Sequence, residues 1–254
     1  MRFSFASPYS LCLIPRLACH NAPTRKPCPT ATPIIESGFQ ATHRRPRAGR
    51  DETEVAAVRI THPERVIDEQ SGLRKIDLVH YFEAIAPHLL PHLHKRLVAI
   101  VRAPTGVSGE QFFQKHAKPP QIAHAVRHAD LDPGRAPLLT LESARALVGA
   151  AQMDAIELHT WNALTTSIEK PDRIIFDLDP DPALDWSRMI EAARLTHELL
   201  DELGLRAWCK TSGGKGLHVV VPLARHAGWD EVREFARAVA QQMAKRLPER
   251  FRAC

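Results

Sequence analysis

Two aspartates one residue apart stand at the end of a regular apolar stretch, the sequence RIIFDLD at Arg173–Asp179. Its β-branched and aromatic residues predict a strand. Because alternate residues of a strand project to the same face, Asp177 and Asp179 project together, away from the apolar side chains between and before them. Neighbouring carboxylates repel each other unless a cation lies between them, and hard divalent ions prefer oxygen ligands. The spacing predicts a divalent metal site; a strand-end turn, in which Asp and Pro are common, is the alternative.

A glycine-rich segment, KTSGGKGLHVVVPL at residues 210–223, could bind an anion. Its glycines allow close backbone approach, successive N–H groups can surround a phosphate, and Ser212 and Lys215 add a hydroxyl and a cation. The segment is not a Walker A loop, because Gly216 follows the lysine where Ser or Thr is required and a strand follows it. A plain glycine-rich hairpin is the alternative. His218 begins the next strand; an isolated histidine there would more often be a packed or surface residue than a ligand.

Hydrophobic periodicity predicts strands and helices mixed along the chain. A short strand at 55–60 is followed by a predicted short helix, for which Thr61 can be the cap and Pro63 suits the first turn. This order of elements predicts an α/β or mixed α+β fold. Further helices are predicted at residues 76–90, 143–151, 187–203 and 229–247. Further strands are predicted at 97–101, 111–115, 156–161, 173–179, 205–209 and 217–223.

The first fifth of the chain differs in composition from the rest. Residues 21–50 are dense in Pro, Thr, Ala and Arg and bury little apolar surface. Residues 1–19 are as apolar as a signal peptide, but Pro15 and Arg16 interrupt them and no clean cleavage site follows. We therefore predict a disordered leader or linker over residues 1–54 and a globular domain over 55–254.

Composition sets broad limits on the function. The formal net charge of +5, from 34 basic and 29 acidic residues, fits a polyanion partner but is shared by many unrelated proteins. The five cysteines form no CxxC pair, which argues against a zinc knuckle; their odd number, with three in the first thirty positions, argues against a disulfide framework. No apolar run approaches the ~18 to 20 residues that a membrane span needs. A cytoplasmic protein with no membrane partner is expected.

Together these motifs resemble a known family. IIFDLDPDP, followed by a helix and TSGGKGLHVVVPL, is similar to motifs I and II of the archaeo-eukaryotic primase superfamily, above all in the polymerase domain of bacterial ATP-dependent DNA ligase D. THPERV, EQFFQKH and IELHTWNA precede them in the expected order, and the resemblance covers about 55–251. FDLDP alone is weakly specific, but the ordered set is highly specific. The resemblance implies a primase-like fold, with a mixed, largely antiparallel central sheet flanked by helices.

The resemblance also implies roles for individual residues. Asp177 and Asp179 would bind the catalytic Mn²⁺ or Mg²⁺ in template-dependent transfer of an NTP or dNTP, with ribonucleotides preferred and two metal ions taking part. Of the phenylalanines at 112 and 113, which would stack on bases, we expect one to be mostly buried. The residues implied to bind the nucleotide are His159, Ser212, Lys215, Gly216, His218, Phe112, Phe113 and Arg102. Those implied to contact DNA are Arg65, Lys75 and Lys115.

The implied setting is non-homologous end joining near the nucleoid. Arg65 and Lys75 would hold the 5′-phosphate of a DNA end, with Ku and a ligase domain on another chain as partners. The family pattern also includes a third acid on a later strand, whereas Asp130, Asp132 and Asp154 come too early in this sequence to replace it. We therefore interpret the domain as C-terminally truncated and expect strongly reduced polymerase activity from this chain by itself.

Two other functions stay open. A domain with an incomplete acid set could be a catalytically inactive module that binds DNA ends without extending them. A haloacid-dehalogenase-like phosphatase also carries DxD after an apolar strand, but it requires Thr or Val where this sequence has Asp181.

Overall fold

The computed structural model describes residues 2–5, 54–119, 121–180, 185–213, 216–246 and 252–253. The helices are α1 (Lys75–Leu93), α2 (Ala144–Gln152), α3 (Trp186–Glu202) and α4 (Trp229–Arg246). The strands are β1 (Arg2–Phe5), β2 (Glu54–Val55), β3 (Val58–Arg59), β4 (Val66–Asp68), β5 (Leu73–Arg74), β6 (Val98–Arg102), β7 (Phe112–Gln114), β8 (Val126–His128), β9 (Leu138–Thr140), β10 (Ala155–Thr160), β11 (Arg173–Asp179), β12 (Trp208–Thr211), β13 (Leu217–Pro222) and β14 (Arg252–Ala253).

Two hydrophobic cores organise these elements. In the first, α1 and α2 pack with the three-stranded antiparallel sheet β10-β6-β7, around residues such as Phe82 and Leu158. In the second, α3 and α4 cover a five-stranded sheet of order β12-β13-β11-β1-β14, around Phe176 and Val219. All pairings in the larger sheet are antiparallel except that between β1 and β14. The predicted mixed fold with a largely antiparallel central sheet is confirmed. Among the described helices, none is both long and apolar enough to cross a membrane.

Strand β11 lies at the centre of the larger sheet and shows the predicted division of its faces. Ile174, Phe176 and Leu178 are buried in the second core, on the side of α3 and α4. The alternate residues therefore face away from these helices, because side chains alternate along a strand. Asp177 pairs in register with His218 of the antiparallel neighbour β13, which places both on that outward face.

The structure differs from the sequence prediction around residues 55–65. The predicted strand is a hairpin of β2 and β3, whose two turn residues Ala56 and Ala57 have φ of +48° and +58°. A two-residue hairpin turn that matches the twist of its strands can require positive φ at both turn positions. Hydrophobic periodicity does not predict such a turn. The predicted short helix is also wrong, since residues 61–65 form bends and a turn closed by a 3.0 Å hydrogen bond from the Arg65 N–H to the His62 carbonyl.

Most of the predicted leader lies outside the described residues, namely 6–53 together with residue 1, and its disorder stays a prediction there. Arg2–Phe5 differ from the prediction, because they form β1 beside β11, with Ser4 opposite Asp177 in the register. The backbone of β11 thereby has partners on both of its edges, β13 on one and β1 on the other.

A cluster of polar side chains joins β11 to the smaller sheet, and we call it the inter-sheet clamp (Arg96, Asn162, Asp172 and Arg173). The Arg96 guanidinium donates two hydrogen bonds, of 2.8 and 2.7 Å, to the two carboxylate oxygens of Asp172. Both side chains are largely buried, with exposed fractions of 14% and 16%. Such a two-pronged arginine–carboxylate pair is both strong and directional.

The second half of the clamp is the first residue of β11. The Arg173 guanidinium donates to the Asn162 side-chain oxygen at 2.7 Å, to the Thr160 hydroxyl at 2.5 Å and to the Trp161 carbonyl at 3.2 Å. Burial lowers the pKa of Arg173 to about 10, so its guanidinium is still charged at neutral pH. The beginning of β11 is therefore fixed to the end of β10.

Replacing Arg96 with methionine should lower the free energy of unfolding by about 3 to 5 kcal/mol, because the largely buried Asp172 carboxylate loses its cation. The matched control is Arg188→Met on α3, whose more exposed pair with Glu191 contributes less than about 1 kcal/mol. Urea unfolding of both variants measures the difference. Equally small decreases in the free energy of unfolding of the two variants would contradict the proposed importance of the clamp.

Candidate active site

The predicted metal-binding carboxylates lie at the end of β11 on one face of the strand. The Asp177 side chain is 25% exposed, whereas Asp179, the last residue of the strand, is more open to solvent. Partial burial, followed by the negative charge of Asp177, raises the pKa of Asp179, and the proximity of His218 partly opposes this rise. The pair is therefore electrostatically unfavourable without a cation, as the spacing of the two aspartates predicted.

His218 packs directly against the first of these carboxylates. Its side chain is 3% exposed, and its Nε2 lies 3.3 Å from Oδ1 of Asp177. This contact lacks hydrogen-bond geometry. Among the described residues, neither the buried Asp177 Oδ1 nor the buried Nδ1 on the other side of the His218 ring has a hydrogen-bond partner. A buried carboxylate oxygen without a donor is costly unless a ligand supplies the missing positive charge. The two oxygen-donor side chains thus fit a hard divalent cation.

The glycine-rich loop closes onto the same end of β11. The Ser212 N–H donates to the Gly216 carbonyl and the Gly216 N–H donates to the Ser212 hydroxyl oxygen, both at 3.1 Å. A Cβ on Gly216 would lie 2.4 Å from the Leu178 carbonyl oxygen, so this glycine permits close contact of the loop with β11. Packing therefore requires glycine at position 216, in addition to the contact with a nucleotide that is predicted for Gly216. Lys215 lies outside the described residues, and its predicted role stays a prediction.

The two phenylalanines project from opposite faces of β7. In the register with β6, Phe113 pairs with Val101 and Phe112 pairs with Arg102, so Phe112 shares a face with Arg102. Their exposed fractions are 45% for Phe112 and 49% for Phe113. The expectation that one of them is mostly buried is wrong, because β7 is the edge strand of a three-stranded sheet and both of its faces reach solvent.

Phe113 belongs to a group that includes His159 and Lys115. Its ring meets the His159 ring edge to face, with centroids 5.4 Å apart, and the Lys115 ammonium lies 5.9 Å from the Phe113 centroid. His159 Nε2 is 2.9 Å from a carboxylate oxygen of Glu157, two residues earlier on β10. Sequence analysis did not select Glu157, although its spacing from His159 places both side chains on one face of the strand.

Arg65, Lys75 and Arg102 form a second group, which we call the cationic cluster. Arg65 contacts the Asp154 carboxylate with one terminal nitrogen and donates to the Pro104 carbonyl at 2.6 Å with the other. The buried Lys75 ammonium lies 3.5 Å from the same Asp154 oxygen. The structure thus brings together the two predicted DNA-binding residues Arg65 and Lys75.

Arg102, which was predicted to bind the nucleotide, lies in this cationic cluster. Its Nε donates to the Met153 carbonyl at 2.7 Å, and its charge is close enough to lower the pKa of Lys75. Burial is the largest cause of that lowering, and Asp154 opposes it. Asp154 was considered in the sequence only as a possible third metal-binding acid, and nothing in the local pattern shows that it contacts two distant cations.

Replacing Asp179 with asparagine should raise the unfolding temperature of the metal-free protein at pH 7 by about 1 to 2 °C. The raised pKa of Asp179 means that its ionised form is less favourable in the folded than in the unfolded chain, so ionisation costs stability above the folded-state pKa. The gain should shrink as the pH falls through the folded-state pKa and vanish below the ordinary value of 3.8, where both states hold the proton. Thermal unfolding in EDTA measures it, with Asp130→Asn as the control; a lower unfolding temperature would contradict the charge repulsion.

Comparison with known proteins places this chain in a family. The family model described as LigD, primase-polymerase domain, matches residues 74–254. The chain is 53% identical over 211 residues to the multifunctional non-homologous end joining protein LigD of Pseudomonas aeruginosa, covering 83% of this chain and 25% of the relative. It is 30% identical over 195 residues to the bifunctional non-homologous end joining protein LigD of Bacillus subtilis, covering 76% of this chain and 31% of the relative.

A solved structure shows the same fold. The polymerase domain of Mycobacterium tuberculosis ligase D, determined in complex with DNA, matches with a TM-score of 0.67 and 29% identity. The match covers 75% of this chain and 70% of that domain. The chain spans between a quarter and a third of the curated relatives described above, in agreement with a match to a single domain. The chain belongs to the primase-polymerase domain family of LigD.

Proposed function

We propose that this chain carries out template-dependent nucleotidyl transfer at DNA ends, as part of non-homologous end joining. The observation that carries the proposal is the buried Asp177 Oδ1, which has no hydrogen-bond partner among the described residues and stands on the same face as Asp179. Membership of the LigD polymerase family supports nucleotidyl transfer as the reaction that this carboxylate pair would serve. The substrates are a nucleoside triphosphate, with NTP preferred over dNTP, and a 3′-hydroxyl.

Asp177 and Asp179 would hold Mn²⁺ or Mg²⁺ in this reaction. Bound in pairs, such ions supply activation of the 3′-hydroxyl and neutralisation of charge on the triphosphate. His218 would contact the triphosphate, as the family resemblance implies, and, packed against Asp177 and nearly fully buried, it also limits the rotation of that carboxylate. Gly216 keeps the loop close to Leu178, so that the Ser212 hydroxyl stays beside the end of β11.

The nucleotide contacts that we propose come from both sheets. The Ser212 hydroxyl and Lys215 would bind the triphosphate, with a hydroxyl and a cation suited to phosphate oxygens. Glu157 fixes the ring orientation of His159, which would assist them. The exposed Phe113 ring offers a flat surface on which a base of any sequence can stack, and Lys115 lies beside it.

DNA binding is proposed for the face of β7 that carries Phe112, opposite the face that carries Phe113. The cationic cluster offers Arg65 and Arg102 for electrostatic attraction of a 5′-phosphate, and the exposed Phe112 ring lies on the same face as Arg102. The related M. tuberculosis domain was determined with DNA, which supports a DNA partner for this chain. Because the relatives are multifunctional or bifunctional end-joining proteins, we also propose a ligase domain and Ku as partners.

A non-catalytic DNA-end-binding role is the second candidate. Within the part of the chain that the structure describes, no group of three or more His, Cys, Asp or Glu side chains is placed to share a metal ion. Two carboxylates should bind the metal more weakly than three, so we propose slow turnover by this chain alone. Membership of the LigD family sets the phosphatase alternative aside.

Primer extension with Mn²⁺ on a templated DNA end should show slow, template-dependent nucleotide incorporation. Asp177→Asn and Asp179→Asn should each lower the rate by more than about 100-fold, because each removes a proposed metal ligand. Loss of a residue that only supports a metal ligand already costs about 10- to 100-fold. Asp130→Asn, an exposed substitution away from β11, is the matched control and should keep the rate.

The result also separates the two candidate functions. Incorporation that survives both substitutions on β11 would contradict the proposed active site. No incorporation by the unaltered chain, combined with binding that depends on a 5′-phosphate and weakens steeply with salt, would establish the binding module instead.

A further inference from the structure

The cationic cluster is built around a carboxylate that the proposed chemistry does not use. Asp154 follows α2 in the left-handed region, with φ of +62°, and its carbonyl accepts a 2.9 Å hydrogen bond from the Ala103 N–H. Its side chain is 14% exposed. Because the backbone is held on both sides and the side chain is largely buried, the Asp154 carboxylate has little freedom to turn away from its cations.

The surrounding bonds hold the cluster in place without any bound anion. Asp154 contacts both Arg65 and Lys75 through the same oxygen, and the Lys75 N–H donates to the Arg65 carbonyl at 2.9 Å. Two further hydrogen bonds, of 3.0 and 2.6 Å, join Thr61 to the Gln152 side chain at the end of α2. The positions of the cations are therefore set by the protein before a ligand arrives.

The charge balance of the cluster points to a particular ligand. The cluster contains three cations, Arg65, Lys75 and Arg102, and one carboxylate, which leaves a formal charge of +2. At neutral pH a terminal phosphate monoester carries about −1.5 to −2 charges, because its second pKa is about 6. A phosphodiester within a strand carries a single negative charge. The remaining charge of the cluster thus matches a terminal phosphate.

We propose that Asp154 is a specificity-determining residue, whose carboxylate makes the cationic cluster select a terminal phosphate over internal phosphodiesters. A diester brings one negative charge to a cluster whose positive charge Asp154 has already reduced, so it gains little from these cations. A dianion gains more from the same cations and can share them with Asp154. The inference rests on the proposed binding of DNA ends by this cluster.

The buried lysine supports this assignment. Lys75 is only 3% exposed, so it acts on an anion through its field more than by direct contact. Burial lowers the pKa of Lys75, and the neighbouring Asp154 raises it. Asp154 therefore helps to keep the ammonium charged while offsetting part of its attraction for anions.

The test compares two gapped DNA duplexes that differ only in a 5′-phosphate or a 5′-hydroxyl at the gap, with fluorescence anisotropy giving Kd for each. The unaltered chain should prefer the phosphate by about 10-fold or more, as a buried charge–charge contact allows. Asp154→Asn should bind the hydroxyl probe several-fold more tightly and reduce the preference to about 2- to 3-fold. Asparagine tolerates a positive φ and can still accept from Arg65, so the substitution removes mainly the charge.

Two further variants keep the test decisive. Asp154→Gly, which suits the left-handed backbone and lacks the carboxylate, should reduce the preference in the same way, even if the asparagine variant folds poorly. Asp130→Asn should leave the preference unchanged. An unchanged or larger preference in both Asp154 variants would overturn this inference alone. No preference in the unaltered chain would instead overturn the proposed recognition of a 5′-phosphate.

Discussion

The hydrogen bonds of Arg173 and the Arg96–Asp172 pair are the contacts on which the site depends. They fix the beginning of β11 to the end of β10, and β11 carries both aspartates at its other end. A strand of seven residues is a stiff element of about 20 Å. Its orientation at the clamp therefore determines where Asp177 and Asp179 stand relative to the sheet that carries His159 and Phe113. These buried arginines contribute to function through geometry, at a distance from the chemistry.

The protein holds two regions of opposite and uncompensated charge. On β11 the two carboxylates lie close together, and partial burial, followed by the negative charge of Asp177, raises the pKa of Asp179. In the cationic cluster, one carboxylate contacts two of the three cations, and burial lowers the pKa of Lys75. We propose that each region binds a ligand of the opposite charge. Perturbed pKa values of this kind are frequent at functional sites.

Sequence patterns located the elements of this site better than the contacts between them. The alternation in β11 predicted both its bounds and the shared face of Asp177 and Asp179, because strand periodicity is local. That Phe112 shares its face with Arg102, and Phe113 its face with Val101, followed only from the pairing of β7 with β6. The association of Arg102 and Asp154 with residues many positions away, like the clamp itself, arises from tertiary packing that single-sequence periodicity does not encode.

We propose that the end of β11 is a metal site formed by its two aspartates. Titration of the protein with Mn²⁺, followed by the loss of the free-ion electron paramagnetic resonance signal, tests this proposal without requiring turnover or DNA. The unaltered chain should bind Mn²⁺, and binding should weaken at least about 10-fold in Asp177→Asn, since a charged oxygen ligand is removed. Equal Mn²⁺ affinity in the unaltered chain and in Asp177→Asn would contradict it.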